Sequence, residues 1–416
     1  MRLRNNLLAL CILILFLGFG VLYVRFWVVQ RPSGIIIFVS DGLVAKHLTA
    51  ARLFADGAGY RLEIERNFSN AALVRTDAVQ FAVPDAASMS SAIATGRMAR
   101  HHTAGVDERG NPVASILELA REEGRAVGLI TNGSLTSASS AAFYAHSSSA
   151  EDGSVLAKTL LSAPRFQVLL GGGAEDFLPA GKGGRRKDGR DLLGELQAPG
   201  WEVVRGRAEL ENAAQSRAGR KGSFFGLAPN DPTLFGLFAD DVFDFSKKRE
   251  VAVTQPSLAD LTRCAIKCLQ NNRRGYVLVV DEALISQACV ANEGEHLLRE
   301  TVELDRAFGV AVRDAGEKSL IIGVGRTSIG GFALSGYPLR QDRGLALLGP
   351  TPEGHPYITW ATGPSSPQSS EPAARETPGG VNTAEDVIAV ARGLGADRVR
   401  GFLDSTDIFK IVRDAL

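Results

Sequence analysis

The chain has 416 residues, enough for one large α/β domain or two ordinary ones. Its 45% apolar and 22% charged residues are globular values and exclude a disordered chain. Lys+Arg and Asp+Glu balance at 46 each, so no bulk attraction to nucleic acid is implied and no nucleic-acid partner is expected. The 4 cysteines, Cys11, Cys264, Cys268 and Cys289, form no disulfide framework. Cys264 and Cys268 stand one helical turn apart, too few donors for a metal site, and read as small buried apolar residues.

Arg2 and Arg4 precede an apolar run from Leu7 to Val24, which resumes as Phe26-Trp27-Val28-Val29 after Arg25. Residues 7–29 are long enough to span a bilayer, with Arg25 snorkelling and Trp27 at the interface. A cleaved signal peptide is the rival reading, against which Gly18-Phe19-Gly20 is a weak cleavage site. The expected organisation is therefore an uncleaved anchor and linker over 1–30 and one domain over 31–416. Ile35–Val39 reads as a fully buried, parallel strand ending in Ser40-Asp41-Gly42. An acid at the carboxyl end of such a strand is where open α/β sheets gather ligand groups, although Asp-Gly is also ordinary turn chemistry.

Pro84-Asp85 predicts a helix start, with Asp85 as the cap. The residues after it are small, so the helix can lie close to a sheet. Ala86 would fall in the first turn, where free N–H groups and the macrodipole favour an anion. His101-His102 reads as an exposed loop pair. Val113–Glu123 has helical spacing, and Ala126–Thr131, Gln167–Gly173, Gly275–Val280, Ser319–Val324 and Val387–Ala391 read as strands, the last of these being the final one. Gly171-Gly172-Gly173 is a tight turn rather than a P-loop, because no Lys-Ser/Thr follows. Gly181–Arg190 is a basic loop expected to be solvated. Thr362–Gly380, rich in Pro, Ser and Glu, reads as a long surface loop, and a closing helix lies near Asp407–Leu416.

Several of these stretches carry a resemblance. Val83–Gly96 resembles the nucleophile helix of the alkaline phosphatase family, whose pattern is Asp-Ser-Ala-Ala-Ser followed some ten residues later by Thr-Gly. Asp85 and Thr95-Gly96 match it, and the family's nucleophilic serine falls on Ala86. Thr136–His146, Leu234–Ala239, Gln255–Ala259, Glu300–Asp305 and Gly336–Arg340 are similar to further family landmarks, in the family's order over roughly residues 34–416. The resemblance implies a three-layer α/β/α sandwich around a large, mostly parallel sheet.

The resemblance also implies a zinc- and magnesium-dependent phosphomonoesterase, and at its required positions this chain departs from it. Asp41 matches the family's metal-bridging Asp, and Asp281 conservatively replaces a glutamate ligand. Ser137 stands where the family has an Asp or His, and Ser139 where it has Thr. Ala150 stands at the phosphate-clamping arginine, Ser286 and Val290 at an Asp and a His ligand, and Arg326-Thr327 at an Asp-His pair. The last zinc-binding histidine falls on Pro378 or Asn382, depending on which flanking residues are matched. Zinc wants at least three imidazole, thiolate or carboxylate donors from protein. Asp41 and Asp281 alone would hold at most one weak Mg²⁺. Ser88, Ser90 and Ser91 would point from other faces of the helix and make poor substitute nucleophiles.

The expectation is thus a membrane-anchored, alkaline phosphatase-like pseudoenzyme of the cell envelope that binds or scaffolds a protein partner or a small anion. A homodimer is implied by the family alone. The resemblance likewise puts the N-terminus inside and the domain on the periplasmic or extracellular side. The alternatives are a hydrolase with a rearranged, metal-poor centre and a fully active alkaline phosphatase.

Overall fold

The computed structural model describes residues 2–23, 31–163, 166–196, 200–217, 232–252, 254–336, 339–351, 353–364 and 371–416. The part of the apolar run at 24–30, with Arg25 and Trp27, lies outside these residues. So do Tyr337-Pro338 and positions 365–370 of the expected long loop.

A ten-stranded sheet carries the fold. Its strands begin with β1 (Gly34–Ser40), β2 (Asn70–Arg75), β3 (Ala126–Ser134) and β4 (Val168–Gly172). They continue with β5 (Trp201–Val204), β6 (Thr233–Leu237), β7 (Tyr276–Glu282) and β8 (Leu320–Gly325). Five short strands then lie outside the main sheet: β9 (Ser328–Ile329), β10 (Ala333–Leu334), β11 (Ile358–Gly363), β12 (Ala373–Glu376) and β13 (Asn382–Thr383). The chain returns with β14 (Val387–Gly393) and β15 (Gly401–Asp404). The order across the sheet is β15-β2-β14-β8-β1-β7-β3-β4-β6-β5. Its pairings are parallel except those of β14, which runs against both β2 and β8.

The unbroken apolar run of β1 follows from its central place. Ile35, Ile37 and Val39 enter one core while Ile36 and Phe38 enter the other, so neither face can be polar. Helices Ala86–Thr95, Ile116–Glu122, Gly153–Ser162 and Ser405–Ala415 cover the first face through Ile93, Ile116, Leu156 and Ile408. Helices Ala45–Asp56, Leu258–Leu269, Leu284–Ala291 and Gly294–Asp314 cover the second through Ala50, Leu261, Ile285 and Leu304. The result is the expected three-layer α/β/α arrangement. Cys264 and Cys289 are buried in it, and all four cysteines are free.

Three expectations need correction. The stretch Thr362–Gly380 is not simply a surface loop. Its β12 pairs parallel with β11, and the Glu371 carboxylate accepts the Trp360 indole N–H at 2.7 Å. The strand at Val387 is not the last, because β15 follows and pairs with β2. The basic loop Gly181–Arg190 is not wholly solvated. Arg186 is buried, donates to Ser154 O at 2.8 Å and Asp176 O at 3.1 Å, and pairs with Asp188. The N-terminal stretch forms a 22-residue helix, Arg2–Tyr23, with Leu7, Phe16 and Phe19 exposed. Among the described residues no helix is long and apolar enough to cross a membrane.

Candidate functional site at the carboxyl ends of the central strands

Strands β8, β1, β7 and β3 are neighbours, and the acids and arginine of interest sit at their carboxyl ends. Parallel pairing sets Val39 beside Asp281 and Ser40 beside both Glu282 and Gly325. The register therefore brings Asp41, Asp281, Glu282 and Arg326 together although they are far apart in the chain.

Arg326 is the centre of this group. It is fully buried. Its guanidinium forks onto Asp41, with Nε 3.1 Å from Oδ1 and Nη2 3.2 Å from Oδ2. Nη1 lies 2.8 Å from Asp281 Oδ1 and donates to Ser90 Oγ at 3.2 Å. Nη2 also donates to the Glu282 carbonyl at 3.2 Å. The planar fork thus bridges two carboxylates and one helix hydroxyl. Burial works against the guanidinium charge, but Asp281, Asp41 and Glu282 outweigh it and hold the Arg326 pKa above its ordinary value. Burial also raises the Asp41 pKa, against the pull of Arg326 and of the Thr327 hydroxyl, which donates to Asp41 Oδ1 at 2.9 Å.

Asp281 is further held by Ser140 Oγ at 2.7 Å and Thr131 Oγ1 at 3.3 Å. Glu282 is fully buried beside it and accepts from Ser40 Oγ, Asn132 Nδ2 and Ile285 N. Burial pushes its pKa up to about 8, with repulsion from Glu300 adding to it. The sequence analysis singles out Asp281 and not its neighbour Glu282. The signal was available: two adjacent acids closing a wholly apolar strand must both be satisfied inside the protein.

The small-residue helix seats itself beside this cluster. Asp85 caps it, accepting Ser88 N at 2.8 Å and, through its other oxygen, His102 N at 2.8 Å. Ala86 is its first residue, as the sequence predicts. The helix serines are all buried and committed elsewhere. Ser88 closes the capping box, Ser90 accepts from Arg326, and Ser91 Oγ donates to Thr103 O. Ala150 is buried, with its amide on His102 O.

Asp41, Ala86, Ser137, Ser139, Ser286 and Arg326 line one cleft of about 1090 Å³. Ser137 and Ser139 hydroxyls lie 3.0 Å apart, and Ser286 Oγ donates to Ala283 O. The other positions lie elsewhere. Val290 is 42% exposed, and its carbonyl accepts from Gly380 N, two residues past Pro378. Asn382 Nδ2 donates to Pro84 O at 2.8 Å and so ties β13 to the helix start. The histidines stay out of the cluster. His101 stacks on Phe81, His102 faces Asp85 and Glu151, and His146 lies between Gly105 O and Glu118. Among the described residues no group of three or more His, Cys, Asp or Glu side chains is placed to hold a metal ion.

A large parallel sheet with an acid after its central strand and a capped small-residue helix beside it defines an alkaline phosphatase-like α/β protein. The family model described as alkaline phosphatase matches residues 33–352, and the chain belongs to that family. It is 28% identical to the tissue-nonspecific alkaline phosphatase of Gallus gallus, over 89% of this chain and 81% of that protein. It is 27% identical to alkaline phosphatase H of Pseudomonas aeruginosa, over 93% and 86%. The crystal structure of Thermus thermophilus alkaline phosphatase superposes with a TM-score of 0.74 at 23% identity, covering 93% of this chain and 92% of that one.

Proposed function

We propose that this chain is a non-catalytic member of its family, a membrane-anchored protein whose domain binds or scaffolds a partner in the cell envelope. One observation carries the reading: the buried Arg326 guanidinium occupies the fork of Asp41 and reaches Asp281, the two carboxylates a metal would need. A divalent cation brought there would meet a fixed positive charge at hydrogen-bond distance from both acids. The cleft also carries Glu151, Asp152, Asp176, Asp188 and Asp241, but among the described residues no three His, Cys, Asp or Glu side chains are placed to hold a metal ion, and the hydroxyls of Ser137, Ser139 and Ser286 are poor zinc ligands. Zinc and magnesium therefore do not fit this residue set, and no step is drawn through them. Ala86 supplies no nucleophile in the helix's first turn. The anchor rests on the exposed apolar side chains of Arg2–Tyr23 and on the continuation of the run to residue 29.

Metal analysis of the purified chain, with turnover of an aryl phosphate and a phosphodiester, tests the catalytic part. The expected result is no stoichiometric zinc or magnesium and no turnover above background. Turnover that disappears in Asp41→Ala would overturn the reading in favour of a rearranged hydrolase. Carbonate extraction of native membranes tests the anchor: the chain should stay in the pellet, and release into the supernatant would remove it.

A further inference from the structure

The end of the sheet opposite the Arg326 cluster is basic. Strands β1, β7 and β3 are parallel neighbours, with Gly34 beside Tyr276 and Tyr276 beside Ala126. The residues that enter these strands therefore gather at one place. They are Arg31-Pro32-Ser33 before β1, Arg273-Arg274-Gly275 before β7, and Arg125 before β3. Together they line a cleft of about 770 Å³, in which Glu123 is the one carboxylate side chain among the described residues. Gly275 permits the close approach. At φ 85 it stands where a Cβ would strike Ser33 O and come within 2.9 Å of Arg125 Nη1.

Arg125 is held differently from the other buried arginines. Arg186, Arg217 and Arg249 sit on Asp188, Glu202 and Glu300, and Arg326 sits on Asp41 and Asp281. Arg125 donates to backbone oxygens instead: Nη1 to Pro32 O at 2.9 Å, and Nη2 to Leu416 O at 2.8 Å and Ala415 O at 3.4 Å. Arg31 Nη1 takes the same Leu416 oxygen at 2.9 Å. Leu416 is last in the sequence, and even a full carboxylate charge there is shared by two guanidiniums. Burial and the Arg31 charge both lower the Arg125 pKa, with Glu123 opposing them. At Arg326 burial acts the same way, but the neighbouring acids outweigh it. A buried charge calls for a counter-charge, and the cleft beside Arg125 has room for one.

The chemistry of the lining selects the anion. Arg31 and Arg274 are exposed, and Arg274 Nη1 reaches only the Glu123 carbonyl, at 3.2 Å. Several guanidinium forks around one space suit the many oxygens and the charge of a phosphate group. Arg31 also stands two residues past Val29, where the apolar run ends. Its backbone is at most about 7 Å of chain from the segment that the anchor reading places in the bilayer.

We propose that this cleft binds a phosphate group, held by Arg31 and Arg274 over the buried Arg125. Two sources share that chemistry, the headgroup of an anionic phospholipid and free inorganic phosphate. The lipid source rests on the anchor reading, and the anion site itself does not.

The test titrates the full chain in neutral detergent micelles by calorimetry. The probes are inorganic phosphate and short-chain phosphatidylglycerol, with phosphatidylcholine of the same chain length as the uncharged control. One saturable site is expected. Arg31→Gln combined with Arg274→Gln should weaken it at least about tenfold and leave the unfolding midpoint in place, since both side chains are exposed. Arg125→Gln should abolish it, and the double variant carries the test if that chain does not fold. Lys158→Gln with Lys187→Gln, in the cleft at the other end of the sheet, should bind like wild type. Phosphatidylglycerol binding tighter than phosphate supports the lipid source, and the reverse supports the free anion. No saturable binding of either probe would overturn the proposal. So would binding that ignores Arg31 and Arg274, or equal binding of phosphatidylcholine, which would show a response to acyl chains. Release of the chain in carbonate extraction removes the anchor and leaves the phosphate titration standing, so the two readings fail separately.

Discussion

The two cores beneath the sheet and the cluster at the ends of its central strands are built on opposite terms. In the cores, Ile35–Val39 and the helices over them are held by apolar burial that needs no particular partner atom, at roughly 1.5–3 kcal/mol per large side chain. In the cluster, Asp41, Asp281 and Glu282 are buried with a single guanidinium among them, and each polar atom depends on a specific neighbour. The difference teaches that the fold and the chemistry at its rim are separable. A family scaffold can stand unchanged if something neutralises the acids left at its strand ends. In this chain a covalently attached cation, Arg326, does so.

The largest expected effect comes from removing that cation. Arg326→Met should destabilise the chain by about 3–5 kcal/mol in urea unfolding, because it strands buried carboxylates without a counter-charge. The triple variant Arg326→Met, Asp41→Asn, Asp281→Asn should regain most of that loss. A single variant as stable as wild type would mean that the cluster is not held by charge.

Glu282 gives the cluster a pH dependence that the apolar cores lack. Its folded pKa, about 8, is above its ordinary value of 4.5, so the folded state holds the proton more tightly. The stability it contributes is fully present below pH 4.5 and is lost as pH rises through 8. Glu282→Gln should flatten the fall in unfolding free energy between those values, while wild type keeps it. An unchanged slope would place the titration elsewhere.

At the helix beside the cluster a smaller effect is expected. Asp85→Ala removes the acceptor for both Ser88 N and His102 N and should cost about 1 kcal/mol. The smallest is no effect at all. Ala86→Ser should leave aryl phosphate turnover at background, because Arg326 and not a metal ion occupies Asp41 and Asp281, so nothing at that end of the cleft activates the hydroxyl. Zinc-dependent turnover in that variant would break the comparison outright.

Much of this was legible from residues alone. Asp85 as cap and the buried runs of β1, β7 and β8 followed from local pattern. Ala86 as the first helical residue followed as well, since caps and full burial leave strong signals. The replacements at Ser137, Ser286 and Arg326 were visible as residue types. What the sequence withheld was set by tertiary pairing. β12 and β15 are four residues each and exist only because β11 and β2 offer them a partner. Arg186 sits in a glycine-rich basic loop, and only folding shows its guanidinium turned onto buried carbonyls. From the sequence Arg326 reads only as a replacement at the family's Asp-His pair. Its bidentate grip on Asp41 depends on the β1–β8 register, which no local pattern encodes.

The most direct test of the account is the unfolding temperature of the purified full chain before and after exhaustive chelation, and again with added zinc and magnesium. Because Arg326 neutralises the acids that a metal would hold, the account predicts one midpoint under all three conditions. A fall of several degrees on chelation, reversed by zinc, would show that a metal and not the guanidinium holds this site together.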